Sequence, residues 1–169
     1  TGIKLDQTTA SVAEGKTITL TATVEPDNAS NKTVVWKSSD DSILTVENGV
    51  VTGKSGGAAT VTATTEDGEF EAACQVTVLI PVAGITLEGP DKVELDKSVS
   101  LTAVVQPENA SNKAVIWKSS NENVAKVNDQ GEVTGVAVGK ARITATTVDG
   151  SLTAELEMEV VQAPKNQAT

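Results

Sequence analysis

Leu152-Thr153-Ala154-Glu155-Leu156-Glu157-Met158-Glu159-Val160 places an apolar residue at every second position, with threonine or glutamate between them. A helix would scatter those apolar side chains around its circumference, whereas a strand gathers them on one face, so the segment predicts a half-buried β-strand. Earlier in the chain Phe70, Ala72, Cys74, Val76 and Val78 keep the same alternation and predict a second inward-facing row. Cys74 falls in the slot of Leu156 and reads as a small core hydrophobe. Each segment follows an Asp-Gly pair, Asp67-Gly68 or Asp149-Gly150, that separates it from another alternating run. Such a pair is the strongest short hairpin signal, because both central positions favour positive φ. Asn48-Gly49 and Gln130-Gly131 punctuate the chain in a similar way. Upstream, Ile18, Leu20, Ala22 and Val24 alternate with Thr17, Thr19, Thr21 and Thr23, which predicts one continuous strand with an apolar face and a hydroxyl face.

The two alternating segments belong to a duplication of the whole chain. Asn28-Ala29-Ser30-Asn31-Lys32 returns as Asn109-Ala110-Ser111-Asn112-Lys113, and Trp36-Lys37-Ser38-Ser39 as Trp117-Lys118-Ser119-Ser120, both 81 residues on. Val51-Thr52-Gly53 then returns as Val133-Thr134-Gly135, and Thr62-Ala63-Thr64-Thr65 as Thr144-Ala145-Thr146-Thr147, both 82 residues on. The register therefore gains one residue between the two sets, in a place expected to be a loop. The opening Gly2-Ile3-Lys4-Leu5 answers Gly84-Ile85-Thr86-Leu87. Each copy of about 80 residues is long enough to bury its own core. Short strands about ten residues apart, with no helical segment, predict an all-β chain of two tandem antiparallel β-sandwiches. The predicted division is 1–80 for copy one, 81–162 for copy two and 163–169 for a polar tail or linker.

These landmarks resemble the bacterial immunoglobulin-like domain, group 2, of invasin- and intimin-type surface proteins. The pattern runs from Gly-Ile-x-Leu through Leu-Thr-Ala-x-Val ending at Pro26 or Pro107, then the Asn-Ala-Ser-Asn-Lys loop and Val-x-Trp-Lys-Ser-Ser. It continues through Val-Thr-Gly, a turn at Gly57 or Gly139, Thr-Ala-Thr-Thr and the Asp-Gly hairpin, and covers residues 2–161. The resemblance implies tandem modules of secreted or surface-anchored bacterial or phage proteins, used as stalks and in adhesion.

Between the copies, Leu79-Ile80-Pro81-Val82-Ala83-Gly84 has none of the serine-rich or charged character of a free coil. Pro81 fixes its own φ and restrains Ile80, so the expectation is a stiff two-module rod, about 40 Å per module at ~3.3 Å per strand residue. The absence of a visible leader ahead of Thr1 reads as a mature fragment or an excised piece of something longer.

Composition narrows the functional classes. Thirteen Lys and Arg stand against 23 Asp and Glu, a net charge of −10, so nucleic acid and anionic membrane surfaces lack their usual attraction. No apolar run approaches the ~20 residues of a membrane helix. With no His, one Cys on a core face and no base near the serines, nucleophilic and zinc chemistry have no residues to work with, and no enzyme is expected. Asp40-Asp41, aligned with Asn121-Glu122, and the pair Glu69 and Glu71 read as solvated charges rather than an acid and base tuned apart. Calcium requires clustered oxygens, but Asp67 and Asp149 are explained by turns, Asp6 and Asp91 are isolated, and no Asp-x-Asp-x-Asp-Gly loop occurs. No cofactor, metal or catalytic residue is assigned.

Trp36 and Trp117 could stack a sugar, yet both follow an apolar residue at period two, Val34 or Val115, and are read as core residues touching Cys74 and Leu156 or their neighbours. Asn28, Asn31 and Asn109 satisfy the glycan acceptor rule in form, and the reading taken is a polar turn after Pro26 or Pro107. The ladder Thr60-Thr62-Thr64 could suggest an ice-binding face, but threonine is a good solvent-facing strand residue.

The functional expectation is a non-catalytic, stiff spacer in a monomeric bacterial cell-surface or secreted protein, serving adhesion beside other domains of the same protein. The rivals are a module gripping an extracellular protein or glycan, or an accessory module of a secreted carbohydrate-active enzyme. A dedicated site should diverge between copies. The most divergent segments are 6–14 against 88–94 and 40–42 against 121–123.

Overall fold

The computed structural model describes residues 1–165 and separates into two units, Thr1–Pro81 and a second beginning at Val82. Of the tail read at 163–169, residues 166–169 lie outside the described residues. No helix occurs among the described residues, and each unit is built from nine strands.

In the first unit these are β1 (Gly2–Leu5), β2 (Thr9–Ala13), β3 (Thr17–Thr19), β4 (Ala22–Glu25), β5 (Val34–Ser38), β6 (Leu44–Glu47), β7 (Val50–Gly53), β8 (Gly57–Thr65) and β9 (Glu71–Leu79). One sheet runs β2-β9-β8-β5; facing it are β3-β7-β6 and the pair β1-β4. The second unit repeats this with β10 (Gly84–Glu88), β11 (Lys92–Glu94), β12 (Ser98–Ser100), β13 (Thr102–Gln106), β14 (Val115–Ser119), β15 (Ala125–Val127), β16 (Glu132–Gly135), β17 (Gly139–Thr147) and β18 (Thr153–Val161). Its sheets are β11-β18-β17-β14, β12-β16-β15 and β10-β13.

The core of each unit lies between its sheets. Val12, Leu20, Leu44, Val51, Val61, Cys74, Val76 and Val78 form that of the first. Val93, Leu101, Ala125, Val133, Ile143, Met158 and Val160 form that of the second. Cys74 is a free, fully enclosed thiol whose burial raises its pKa above the ordinary range.

Four local readings of the sequence are corrected. The strand expected over residues 17–24 is two, because the chain changes partner: β3 pairs with β7, and β4 pairs with β1. The junction is stitched on both sides, by the Leu20 amide donating to Gly49 O at 2.8 Å and the Thr21 amide donating to Asp6 Oδ1 at 2.9 Å. The sandwiches are not wholly antiparallel, since β2 runs parallel to β9, and β11 parallel to β18. The first strand of each unit leaves one sheet and continues in the same direction along the edge of the other.

The Asp-Gly hairpins are the third correction. Positive φ falls on Gly68 and Glu69, not on Asp67 and Gly68, and on Gly150 and Ser151 in the second unit. The loop is closed by a threonine plug: Thr65 Oγ1 donates to Asp67 O at 2.8 Å and accepts from the Phe70 amide at 2.9 Å. Thr147 repeats both bonds with Asp149 and Leu152, and the two threonines are only 2% and 1% exposed. Phe70 is the fourth, because it starts the alternating run but lies beyond the core at an open end of the unit, 39% exposed.

Candidate functional site

Every residue singled out above has a local structural partner or an open surface around it. Asp40 Oδ1 accepts both the backbone amide of Ser42, at 2.9 Å, and its hydroxyl, and these bonds hold the Asp40 carboxyl below the usual carboxylate range. Asn121 Oδ1 takes the Asn123 amide in the same way at 3.0 Å. The divergence at 40–42 is thus one turn written with two acceptors. Asp6 seals the strand change at Thr21. Glu69 sits in the hairpin at positive φ, and Glu71 pairs across the ladder with Thr64. Among the described residues no three His, Cys, Asp or Glu side chains gather closely enough to hold a metal ion.

The asparagine loops are tied down likewise. The Ala29 amide donates to Pro26 O, and the Ala110 amide to Pro107 O, each at 2.9 Å; both turns follow a cis X-Pro bond. Asn31 Oδ1 accepts the Thr33 amide, and its Nδ2 donates to Glu66 Oε2. Asn112 Oδ1 accepts the Ala114 amide.

Trp36 and Trp117 are half-buried rather than enclosed, although each packs on its core. Trp36 shares a cross-strand row with Ala63 and Ala72, one row from Ser38, Val61 and Cys74. The small alanines leave room for the indole to lie across the sheet. On the facing sheet it meets Gly49, where an added Cβ would stand 3.2 Å from the ring and 2.5 Å from Leu20 O. Gly131 holds the same place under Trp117. Nothing in the sequence links Gly49 to Trp36 directly; the equal placement of glycine and tryptophan in both copies was the available signal.

The outer face of the four-stranded sheet differs most between the units. In copy one it presents the rows Ser11-Thr77-Ala58 and Thr9-Gln75-Thr60, then Ala73-Thr62-Lys37 and Glu71-Thr64-Val35. A shallow groove there is lined by Lys37, Ser39, Thr62, Thr64 and Glu71. In copy two the matching face carries three exposed ion pairs, Lys92–Glu159 at 3.8 Å, Lys140–Glu157 at 3.1 Å and Arg142–Glu155 at 3.6 Å. The Glu157 hydrogen bond raises the Lys140 pKa. Each such pair is worth about 0–1 kcal/mol. Both faces are flat surfaces for contact, and neither encloses a substrate.

Comparison with known proteins agrees with this architecture. The family described as bacterial Ig-like domain (group 2) matches residues 1–76 and 81–158. An uncharacterized protein of Clostridium acetobutylicum is 37% identical over 153 residues, 89% of this chain and 16% of that protein. An Ig-like virion protein of Serratia phage KSP90 is 36% identical over 86% of this chain and 59% of its own length. An alpha-L-arabinofuranosidase of Bifidobacterium longum is 39% identical over 62% of this chain and 10% of that enzyme. The chain therefore spans less than two thirds of each of these relatives.

Proposed function

The chain belongs to the bacterial Ig-like domain family, group 2, and from that premise we propose that its two units are non-catalytic, load-bearing spacers of a bacterial cell-surface or secreted protein. They serve adhesion by holding other domains of that protein rather than by gripping a ligand. The observation that carries this reading is the parallel pairing of β2 with β9 over five residue pairs, Thr9–Gln75 to Ala13–Leu79. Tension between the ends of copy one pulls these neighbours in opposite directions along their length. The evenly spaced bonds of a parallel ladder are then loaded in shear together rather than opened one at a time. Copy two has the same device over three pairs, Lys92–Glu159 to Glu94–Val161. Loop polar groups that a binding site would use are bonded to the protein's own backbone at Asp40, Asn31, Asn112 and Asn121.

Single-molecule pulling between the chain ends tests the proposal. Two unfolding steps are expected, each adding roughly 250 Å for about 80 residues extended at ~3.5 Å, less the folded span. Copy two, with the shorter clamp, should yield at the lower force. The Gln75 amide donates to Thr8 O and the Glu14 amide to Leu79 O, so the even-numbered amides of β2 face β9. Ala10→Pro should therefore break the ladder and bring copy one below copy two. An unchanged force for copy one would remove the load-bearing role. The arabinofuranosidase relative favours a second reading, an accessory module beside a secreted glycosidase. Retention of the chain on an arabinan or similar polysaccharide, lost on substitution within the Lys37–Thr62–Glu71 groove, would favour it over the spacer.

A further inference from the structure

Asn48 is the one asparagine in the sequence that precedes a glycine. It lies in the turn between β6 and β7 at φ 51°, is exposed, and borders an open surface with Thr45, Glu47, Val50 and Thr52. Among the described residues its carboxamide makes no hydrogen bond, whereas Asn31, Asn112, Asn121 and Asn128 each engage Oδ1 with a backbone amide. The Gly49 carbonyl accepts the Leu20 amide, but the Gly49 amide itself enters no backbone bond among the described residues. An electrophilic side-chain carbonyl and an unengaged backbone nitrogen are thus adjacent, and glycine offers no side chain to obstruct their approach.

We propose that Asn48 is a site of spontaneous covalent modification by water, and that the product weakens copy one alone. The Gly49 nitrogen attacks Asn48 Cγ, the bond from Cγ to Nδ2 breaks, and ammonia leaves with the proton shed by the Gly49 nitrogen, closing a five-membered succinimide. Water then adds to one of the two ring carbonyls. Breaking the bond from Gly49 N to Cγ gives aspartate; breaking the bond from Gly49 N to the Asn48 main-chain carbonyl carbon gives isoaspartate. Ring closure requires the Asn48–Gly49 peptide to swing out of the turn, so the rate follows local opening of the hairpin end rather than global unfolding. Isoaspartate lengthens a two-residue turn by one main-chain carbon. The glycine of that turn is wedged where an added Cβ would stand 2.5 Å from Leu20 O and 3.2 Å from the Trp36 ring, so the longer turn cannot return it to its place. Copy two is spared. Gln130 holds the position of Asn48 and would have to close a larger, slower-forming ring, while Asn128 precedes Asp129 and is tied down by the Gln130 and Glu132 amides.

The test ages the folded full chain in mildly alkaline buffer and digests it with trypsin. Cleavage after Lys37 and Lys54 releases Ser38–Lys54, and cleavage after Lys126 and Lys140 releases Val127–Lys140, which carries the matching turn. Ser38–Lys54 should gain about 1 Da, the exchange of an amide nitrogen for oxygen, at least about ten times faster than Val127–Lys140. Enzymatic methylation should locate isoaspartate in the first peptide. Urea unfolding of the isoaspartate-containing chain should move to lower denaturant at Trp36 and stay unchanged at Trp117. Asn48→Gly, which keeps the positive φ and removes the carboxamide, should abolish both the mass gain and the ageing of copy one. Equal rates in the two peptides, a gain in Ser38–Lys54 that persists in the Asn48→Gly protein, or an isoaspartate-containing chain whose Trp36 transition has not moved would each overturn the proposal.

Discussion

Copy one turns β6 into β7 with two residues, Asn48 and Gly49, both at positive φ of 51° and 85°, whereas copy two turns β15 into β16 with three. There the Asn128 amide donates to Glu132 O, the Gly131 amide donates to Asn128 O, and only Gly131 has positive φ, at 82°. This is a type I turn closed by a glycine bulge, braced by Asn128 Oδ1 accepting the amides of Gln130 and Glu132. The extra residue is the slip from 81 to 82 in the repeat. Two turn types deliver a glycine to one place, beneath the indole and beside the Leu20 or Leu101 carbonyl. The constraint therefore lies in the approach of the two sheets, and the turn is free to vary around it.

The largest expected effect tests that claim. Gly49→Ala and Gly131→Ala should each destabilise their unit by about 4 kcal/mol, the sum of a left-handed backbone penalty and a Cβ 2.5 or 2.6 Å from a carbonyl oxygen that cannot retreat. Asn48→Ala and Gln130→Ala should separate the copies, costing about 1 kcal/mol in the first and under about 0.5 in the second, since only Asn48 has positive φ. Urea unfolding followed at each tryptophan measures both. Equal losses at Asn48 and Gln130 would mean that the turn conformation, and not the glycine contact, governs the hairpin.

The cores differ by compensating volumes. Leu44 of copy one is Ala125 in copy two, while Val61, Cys74 and Val76 become Ile143, Leu156 and Met158. Leu44 and Ala125 are both fully buried, so the space that leucine fills in one unit is filled from the opposite sheet in the other. Leu44→Ala alone should cost copy one about 3 kcal/mol. Adding Cys74→Leu should recover roughly 1 kcal/mol or more, although Cys74→Leu by itself should destabilise through overpacking. A double variant no more stable than Leu44→Ala would show that the two positions do not share a cavity.

Much of this was legible because the repeat doubled each signal. The period-two rows of Cys74, Val76 and Val78 and of Met158 and Val160 face inward, and the register slip lies in a loop, as read. The strand change at Leu20 left no mark in the pattern, because Ile18, Leu20, Ala22 and Val24 keep their phase while the partner strand changes from β7 to β1. Hydrogen-bond partners, unlike burial, are not written in hydrophobic alternation. The phase of the alternation does place Thr65 and Thr147 inward, in line with Val61 and Ala63 or Ile143 and Ala145, but the loop groups that their hydroxyls bond are hydrogen-bond partners too and left no mark in it. The contrast between a neutral and an ion-paired sheet face was present in the residues, but its meaning depends on cross-strand rows that only the register supplies.

The smallest difference is one atom type in a turn, and it should respond to acid. Asp40 and Asn121 cap equivalent turns, but only Asp40 titrates. Its bonds to Ser42 favour the ionised form, so its folded pKa lies below the unfolded value, ~3.9. The stabilisation is therefore complete above that value and is lost as pH falls through the lower, folded pKa. The Ser42 amide of copy one should shift in an NMR titration over that acidic window, while the Asn123 amide of copy two stays still. Asp40→Asn should abolish the shift and leave both turns intact, because the amide oxygen serves as the acceptor in copy two already. A Ser42 amide that moves with pH in the Asp40→Asn protein would assign the response to another carboxylate and dissolve the equivalence of the two caps.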